Sequence, residues 1–324
     1  MPLFDRAGLD AAADLVHSVM PPTPTHAWPL LSERTGAEVW VKHENHTPTG
    51  AFKVRGGVVY MDGLKRRSPH VKGVVTATRG NHGQSIALAA RRAGLSSTIY
   101  VPHGNSVEKN AAMRAFGATL VEHGSDFDEA KSEAMRAASA LGLDPVPSFH
   151  ADLARGVATY ALEMFTTAGD LDTVYVPIGL GSGICGVITV RDLLGLHTKV
   201  VGVVSTEAPC YALSVEAGRP LPTNTARTFA DGMAVRTPDP AALAVIAAGA
   251  ERVVQVSDEE VAAAIRAYYE DTHNIAEGAG AAALAALMQE RERMAGRKVG
   301  LILSGGNIDR PAYRTVLAGE TPAV

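Results

Sequence analysis

Short runs, most of them rich in valine and isoleucine, alternate with longer amphipathic or alanine-rich stretches along the 324 residues. This alternation constrains the fold more than any other feature. The candidate strands are Glu38–Lys42, Gly73–Thr76, Thr98–Val101, Thr119–Glu122, Thr173–Ile178, Lys199–Val204, Arg252–Val256 and Val299–Leu303, most of them bounded by Gly, Pro or Ser. Between them lie the candidate helices Gln84–Ala93, Val107–Phe116, Asp126–Ala140, Val157–Thr167, Asp239–Gly249, Asp258–Thr272 and Gly280–Met294. Ser257 is placed to cap the helix that opens at Asp258. Such a pattern predicts an α/β fold, with parallel sheets flanked by helices on both faces. Breaks are expected at Pro21–Pro24 and Leu143–Ser148. Residues 71–142 hold three βα units, enough for a small domain. Residues 1–70 and 143–324 then form a larger, discontinuous one.

Composition narrows the function classes. Hydrophobic residues make up 46% and charged residues 20%, as in ordinary globular proteins. A net charge of -4 sets up no strong field towards nucleic acid or an anionic membrane. The densest basic cluster, Lys65-Arg66-Arg67, is most simply a solvated helix end. Two cysteines, Cys185 and Cys210, form no CxxC pair and suit a reducing compartment. The first residues carry Asp5, Asp10 and Asp14 and no apolar core of signal-peptide length. No window approaches a membrane span. The histidines show no HExxH spacing. The expectation is a cytoplasmic protein acting on a small molecule, with neither nucleic acid nor membrane as partner.

Four glycine-marked segments carry the chemistry. The first, TPTGAFKVRGG, puts Lys53 among small residues and turn formers. It is either a solvated loop lysine or a desolvated, reactive amine at the carboxyl end of a parallel sheet. The second, TATRGNHG, lies between the strand GVVT and a helix. It reads equally well as a capped turn or as a carboxylate-binding helix N-terminus. The third, VPIGLGSGICG, has the geometry of a phosphate cradle. Gly181, Gly183 and Gly186 with Glu207 also match a dinucleotide fingerprint, so a nicotinamide-dependent oxidoreductase stands as a rival. The fourth, LSGGN, places Ser304 at the end of the last strand, as a bland turn or as a hydroxyl partner for a pyridine-type nitrogen.

Together and in this order, the Ser/Thr-Gly-x-Phe-Lys-x-Arg-Gly lysine, the GNHG loop, the glycine turn after VP and the terminal SGGN resemble the fold-type II pyridoxal-phosphate enzymes. The similarity is to the threonine dehydratase and serine racemase branch. It runs from about Thr23 to Asp309 and takes in FADGMAV at Phe229–Val235 and EGAGAAALAAL at Glu277–Leu287. The resemblance implies the two-domain, tryptophan synthase β-like fold and pyridoxal 5'-phosphate as cofactor. It makes Lys53 the Schiff-base lysine and the base at the substrate α-carbon, with Phe52 packed beside the ring. It assigns Asn81 to the cofactor's 3′-oxygen, Gly179, Leu180, Gly181, Ser182 and Gly183 to its phosphate, and Ser304 to its ring nitrogen. Glu277 joins the cofactor-binding set. Thr78, Arg79, Gly80, Asn81 and His82 form the loop that receives the substrate carboxylate. A homodimer is also implied. The implied reaction converts a β-hydroxy-α-amino acid to a 2-oxo acid and ammonia, threonine and serine being the default substrates.

Some positions depart from the family pattern. The residue before GNHG is Arg79 where racemase-like members have serine. An arginine exchanges protons poorly, which argues against racemisation. Arg79 is therefore taken as a catalytic-site candidate that would favour 3-hydroxyaspartate or phenylserine, or else turn away and pair with a nearby acid. The phosphate turn is GLGSG rather than a run of glycines. Glu207 matches the first acid of the cation-binding members, but the second is absent and Glu216 substitutes weakly, so Glu207 is only a weak metal candidate. HADLARG at His150–Gly156 is shorter than usual, and no regulatory domain is expected after SGGN. Remaining alternatives are a racemase or β-replacement enzyme with the same cofactor, the nicotinamide enzyme, and a cofactor-binding protein without activity.

Overall fold

The structure, a computed structural model, describes residues 3–324. The strands among them are β1 Thr25–Ala27, β2 Glu38–His43, β3 Gly73–Ala77, β4 Ser96–Val101, β5 Thr119–Glu122, β6 Asp144–Pro145, β7 Thr173–Pro177, β8 Lys199–Ser205, β9 Arg252–Val256 and β10 Lys298–Leu303. The helices run α1 Arg6–His17, α2 Pro29–Thr35, α3 Lys53–Arg67, α4 Asn81–Arg92, α5 Val107–Ala115, α6 Phe127–Leu141 and α7 Ala151–Ala168. They continue with α8 Ser182–Leu193, α9 Cys210–Ala217, α10 Pro240–Gly249, α11 Asp258–Thr272, α12 Gly278–Gln289, α13 Arg291–Met294 and α14 Arg310–Leu317.

Two sheets result. One has six strands in the order β1-β2-β10-β7-β8-β9, the other four in the order β5-β4-β3-β6. Every pairing is parallel except β1 with β2. β10 lies between β2 and β7, so its VGLIL run is buried, as a strand covered on both faces must be. β1 is a short edge strand that the valine pattern does not mark. β6, just past residue 142, spans two residues and gives no periodicity to read.

Most expected elements lie within a residue or two of the observed ones. Thr119–Glu122, Arg252–Val256 and Asp258–Thr272 coincide with β5, β9 and α11. Ser257 and Glu260 cap α11 reciprocally. Three expectations need correction. α7 begins at Ala151 rather than Val157, because the His150 ring accepts from Asp152 N and serves as its cap. α4 begins at Asn81, so three of the four GNHG residues are already helical. Gly280–Met294 is two helices, α12 and α13, separated at Glu290, whose carboxylate is held by Arg252 and Tyr175.

α3 and α7 meet closely: a side chain at Gly156 would collide with the Arg55 carbonyl. Behind this contact lies a fully paired ionic cluster. Arg55 donates to Glu44 and Glu163 at 2.6–2.9 Å, and Lys42 Nζ donates to Glu163 Oε2 at 2.5 Å. Net charge within it is zero, the condition under which buried ions are tolerated. No helix among the described residues is long and apolar enough to cross a membrane.

Candidate active site

The parallel strands of both sheets end towards loops that carry the glycine-marked motifs, the usual place for a site in such sheets. After β2, Thr47 and Thr49 close a tight turn. Both hydroxyls donate to Ala51 O, at 2.8 and 3.2 Å, and Ala51 N donates back to Thr47 Oγ1 at 2.9 Å. Gly50 has φ +67°, and a Cβ there would sit 2.5 Å from Asn307 Oδ1. Phe52 N donates to Ser304 O, and Gly306 N to Gly50 O, so the lysine turn and the SGGN turn are stitched together.

Lys53 is the first residue of α3. Its backbone carbonyl accepts from Ser85 Oγ at 2.6 Å, which fixes the stem. Its Nζ donates to Ser182 Oγ at 3.1 Å and lies 4.7 Å over the Phe52 ring. Burial lowers the amine to about 8, with Glu277 opposing the shift. This is not a solvated loop lysine.

Ser182 opens α8, and Gly181 before it has φ +98°, which favours glycine. A Cβ at Gly181 would also press on Ala242 at 2.7 Å, and one at Gly183 would meet the Tyr160 hydroxyl at 3.1 Å. Tyr160 and Tyr211 hold the turn from below, donating to Gly183 O and Leu180 O, each at 3.0 Å. The first N–H groups of α8 have no partner within their helix and form an anion cradle. Gly186, third of the dinucleotide-type glycines, is used up in packing: a Cβ would lie 3.0 Å from the Ala158 Cα. Glu207 is exposed beyond β8, and among the described residues no group of three acids, histidines or cysteines is placed to hold a metal ion.

On the four-stranded sheet, Thr78 Oγ1 accepts from Gly80 N at 3.0 Å. Asn81 donates to Glu277 Oε1 at 2.6 Å and accepts from Asn307 Nδ2 at 2.9 Å. His82 is pushed down to about 3, first by burial and then by the Lys53 charge, and its Nε2 has no partner. Arg79 is exposed. Its charge reaches Asp126, whose carboxyl is held low by the Glu129 backbone N–H, by Arg236 and by Arg79. Ser304 is buried at the end of β10. Glu277 is buried; burial raises its carboxyl above the usual range while Lys109 opposes this.

The structure thus brings together Phe52, Lys53, Asn81, Ser182, Gly183, Glu277 and Ser304 from five segments of the chain. Ser85, Lys109, Asp231, Asn307 and the two tyrosines also belong to the site and were not singled out from the sequence. Asp231 and Asn307 lie inside quoted motifs. For the others no local signal exists.

A pyridoxal-phosphate cofactor carries its aldehyde and its phosphate arm on adjacent ring carbons. A buried amine within 3.1 Å of the head of a glycine-lined helix matches that spacing. The residues present fit the group.

Comparison with known proteins agrees. The family described as "Pyridoxal-phosphate dependent enzyme" matches residues 17–305. The L-threonine ammonia-lyase of Geobacter sulfurreducens is 37% identical over 280 residues, 86% of this chain and 69% of that protein. The biosynthetic L-threonine dehydratase of Pasteurella multocida is 32% identical over 304 residues, 93% of this chain but only 59% of that protein. This chain therefore spans less than two thirds of the latter relative's length. The L-threo-3-hydroxyaspartate ammonia-lyase of Saccharomyces cerevisiae is 29% identical and covered to 95% on both sides. Among solved structures, the processed threonine deaminase isoform 2 of Solanum lycopersicum superposes with TM-score 0.89 at 30% identity, covering 98% of this chain and 95% of that one.

Proposed function

The chain belongs to the pyridoxal-phosphate dependent enzymes and takes that cofactor, and on that premise we propose that it is an ammonia-lyase of the dehydratase type. It would convert a β-hydroxy-α-amino acid, threonine or serine in the first instance, to a 2-oxo acid and ammonia. The observation that carries this reading is the Lys53 amine, desolvated and 3.1 Å from Ser182 Oγ at the head of α8. The nicotinamide alternative gives this lysine no task.

Bound here, the cofactor supplies an electron sink for the pair left at the substrate α-carbon when its proton departs. The chain's own residues do the rest. Lys53 would be the cofactor's covalent anchor and, as a free amine, the base at the substrate α-carbon. Its lowered basicity suits that role, because a general base works best near the operating pH. The cradle at Gly179–Gly183 would hold the phosphate. Phe52 would pack against the ring, Asn81, held by Glu277, would serve the ring oxygen, and Ser304 would serve the ring nitrogen. A hydroxyl there imposes no charge on that nitrogen, which favours β-elimination over transamination. Within the Thr78–His82 loop, Thr78 N and Gly80 N are already paired, so the backbone N–H groups of Arg79, Asn81 and His82 would seat the substrate carboxylate. Arg79, at the edge of this loop, selects among side chains.

We take residues 71–142 as the small unit and residues 1–70 with 143–324 as the large one, although β6, at Asp144–Pro145, pairs with β3 and so adds its two residues to the small unit's sheet. A cytoplasmic homodimer is the assembly proposed.

The test is the visible spectrum of purified wild type and Lys53→Ala, with 2-oxobutyrate release from L-threonine measured in parallel. Wild type should show a violet-absorbing band and release product. Lys53→Ala should show neither. Near-wild-type turnover in Lys53→Ala would sink the mechanism.

A further inference from the structure

Lys109 lies in the first turn of α5, where the helix dipole disfavours a cation, and it is only 6% exposed. A lysine stays in such a place only when it is paired. Its Nζ lies 2.6 Å from Asp231 Oδ2 and 3.4 Å from Glu277 Oε2. Its methylene stem covers Gly80, so that a Cβ on Gly80 would collide with Lys109 Cδ. One side chain therefore touches the loop read as the carboxylate seat, the buried acid that holds Asn81, and a loop beside the six-stranded sheet.

The same turn of α5 carries two more links in that direction. Its cap, Ser106, accepts from Lys109 N and donates to Asp309 Oδ1 at 2.5 Å. Glu108 Oε1 accepts from Arg310 N at 3.0 Å. Of the three links, only that of Lys109 also reaches the candidate active site.

We infer that Lys109 is a positioning residue that ties seating of the substrate carboxylate on Thr78–His82 to closure of the four-stranded unit over the site. This inference deepens the dehydratase reading and rests on it. A carboxylate docked on the loop presses Gly80 against the Lys109 stem and holds the ammonium on Asp231. Removing the ammonium leaves Asp231 and Glu277 facing each other without a counter-charge. The loop then loses its tie to the six-stranded side, and Glu277, which accepts from Asn81, loses the cation beside it.

The test uses the holoenzyme, with L-threonine for turnover. L-Alanine, which has no β-leaving group, serves as an unreactive probe. In Lys109→Met, which keeps the stem and loses the charge, KM for L-threonine should rise about tenfold while kcat stays within about threefold, the signature of one lost charge-assisted hydrogen bond used in binding. L-Alanine should slow amide exchange in Val107–Ala115 of wild type and have no such effect in the variant. Lys109→Arg should restore both in part. Asp231→Asn should give the same KM-against-kcat split, which keeps the inference testable if Lys109→Met does not fold. Unchanged KM in both variants, or lost kcat at wild-type KM, would overturn it. A failed dehydratase reading looks different, because wild type itself then lacks the cofactor band and the alanine response. That outcome overturns the inference too.

Discussion

Asn307 holds Asn81 by an amide-to-amide hydrogen bond, Asn307 Nδ2 donating to Asn81 Oδ1 at 2.9 Å. The same Nδ2 donates to Thr49 O at 2.8 Å, so one side chain ties the lysine turn to the GNHG helix. The bond also settles which way the Asn81 amide points. Its oxygen is taken by Asn307 and its nitrogen donates to Glu277, so in the proposed reading the second hydrogen of that nitrogen is the one left for the cofactor's ring oxygen.

Asn307→Ala should therefore weaken cofactor binding without removing Lys53. It frees the Asn81 amide to rotate and leaves Thr49 O unpaired, a loss of about 1–3 kcal/mol by the usual cost of an abandoned polar group. Reconstitution of the apoprotein, followed by absorbance, should show the apparent affinity for pyridoxal 5'-phosphate falling about tenfold or more. Wild-type affinity would mean that Asn81 is oriented by Glu277 alone.

The fold was legible in the sequence wherever burial leaves a period. β10, β8 and β7 are apolar runs, and α11 shows its capping box, Ser257 with Glu260. It was not legible at β1 and β6, which are too short for a pattern, nor at α7, whose cap is a histidine. The candidate site divides in the same way. The glycine-marked loops stood out because each must turn and offer N–H groups, and the resemblance of the four in that order supplied the residue roles. Lys109 and Asp231, 122 residues apart and 2.6 Å across, are joined only by the tertiary fold. Nothing near either one announces the other.

Arg79 is exposed at the edge of the carboxylate loop, near enough to Asp126 for its charge to be felt there. A second carboxylate on the substrate would compete for that charge. Arg79→Ala should cut kcat/KM for L-threo-3-hydroxyaspartate by about tenfold while L-threonine changes by less than about threefold, as expected for one exposed charge pair with little to lose otherwise. An equal fall on both substrates would reassign Arg79 to the structure of the loop.

Acid should loosen the core beneath the site. Burial alone would raise the Glu163 carboxyl, but hydrogen bonds and charge from Arg55, with Lys42, outweigh it and hold the group down at about 2, against 4.5 ordinarily. A depressed carboxylate stabilises the fold above its unfolded value, and that contribution is lost as pH falls from about 4.5 through 2. The amount at stake is about 3 kcal/mol. Urea unfolding of wild type and Glu163→Gln should show a stability gap at pH 6 that narrows steadily below pH 4.5. A gap constant down to pH 3 would mean that Glu163 is not held as a paired carboxylate.

Capture of the cofactor should report the Lys53 amine directly. Only the neutral amine attacks an aldehyde, and burial lowers this one from 10.5 to about 8. At pH 7 about one amine in ten is then neutral, against about one in three thousand for an ordinary lysine. The sign follows from the equilibrium. Below about pH 8 the rate of band formation, with apoprotein and excess pyridoxal 5'-phosphate, should rise close to tenfold per pH unit. Above it the rate should level off, because the amine is already neutral. A rate still climbing at pH 9.5 would show an amine in contact with water, and the desolvation that makes Lys53 a base at neutral pH would have to be abandoned. Ser182→Ala separates the two influences on that amine. If burial sets its basicity, removing the 3.1 Å hydroxyl contact should leave the plateau near pH 8. If the contact sets it, the plateau should move.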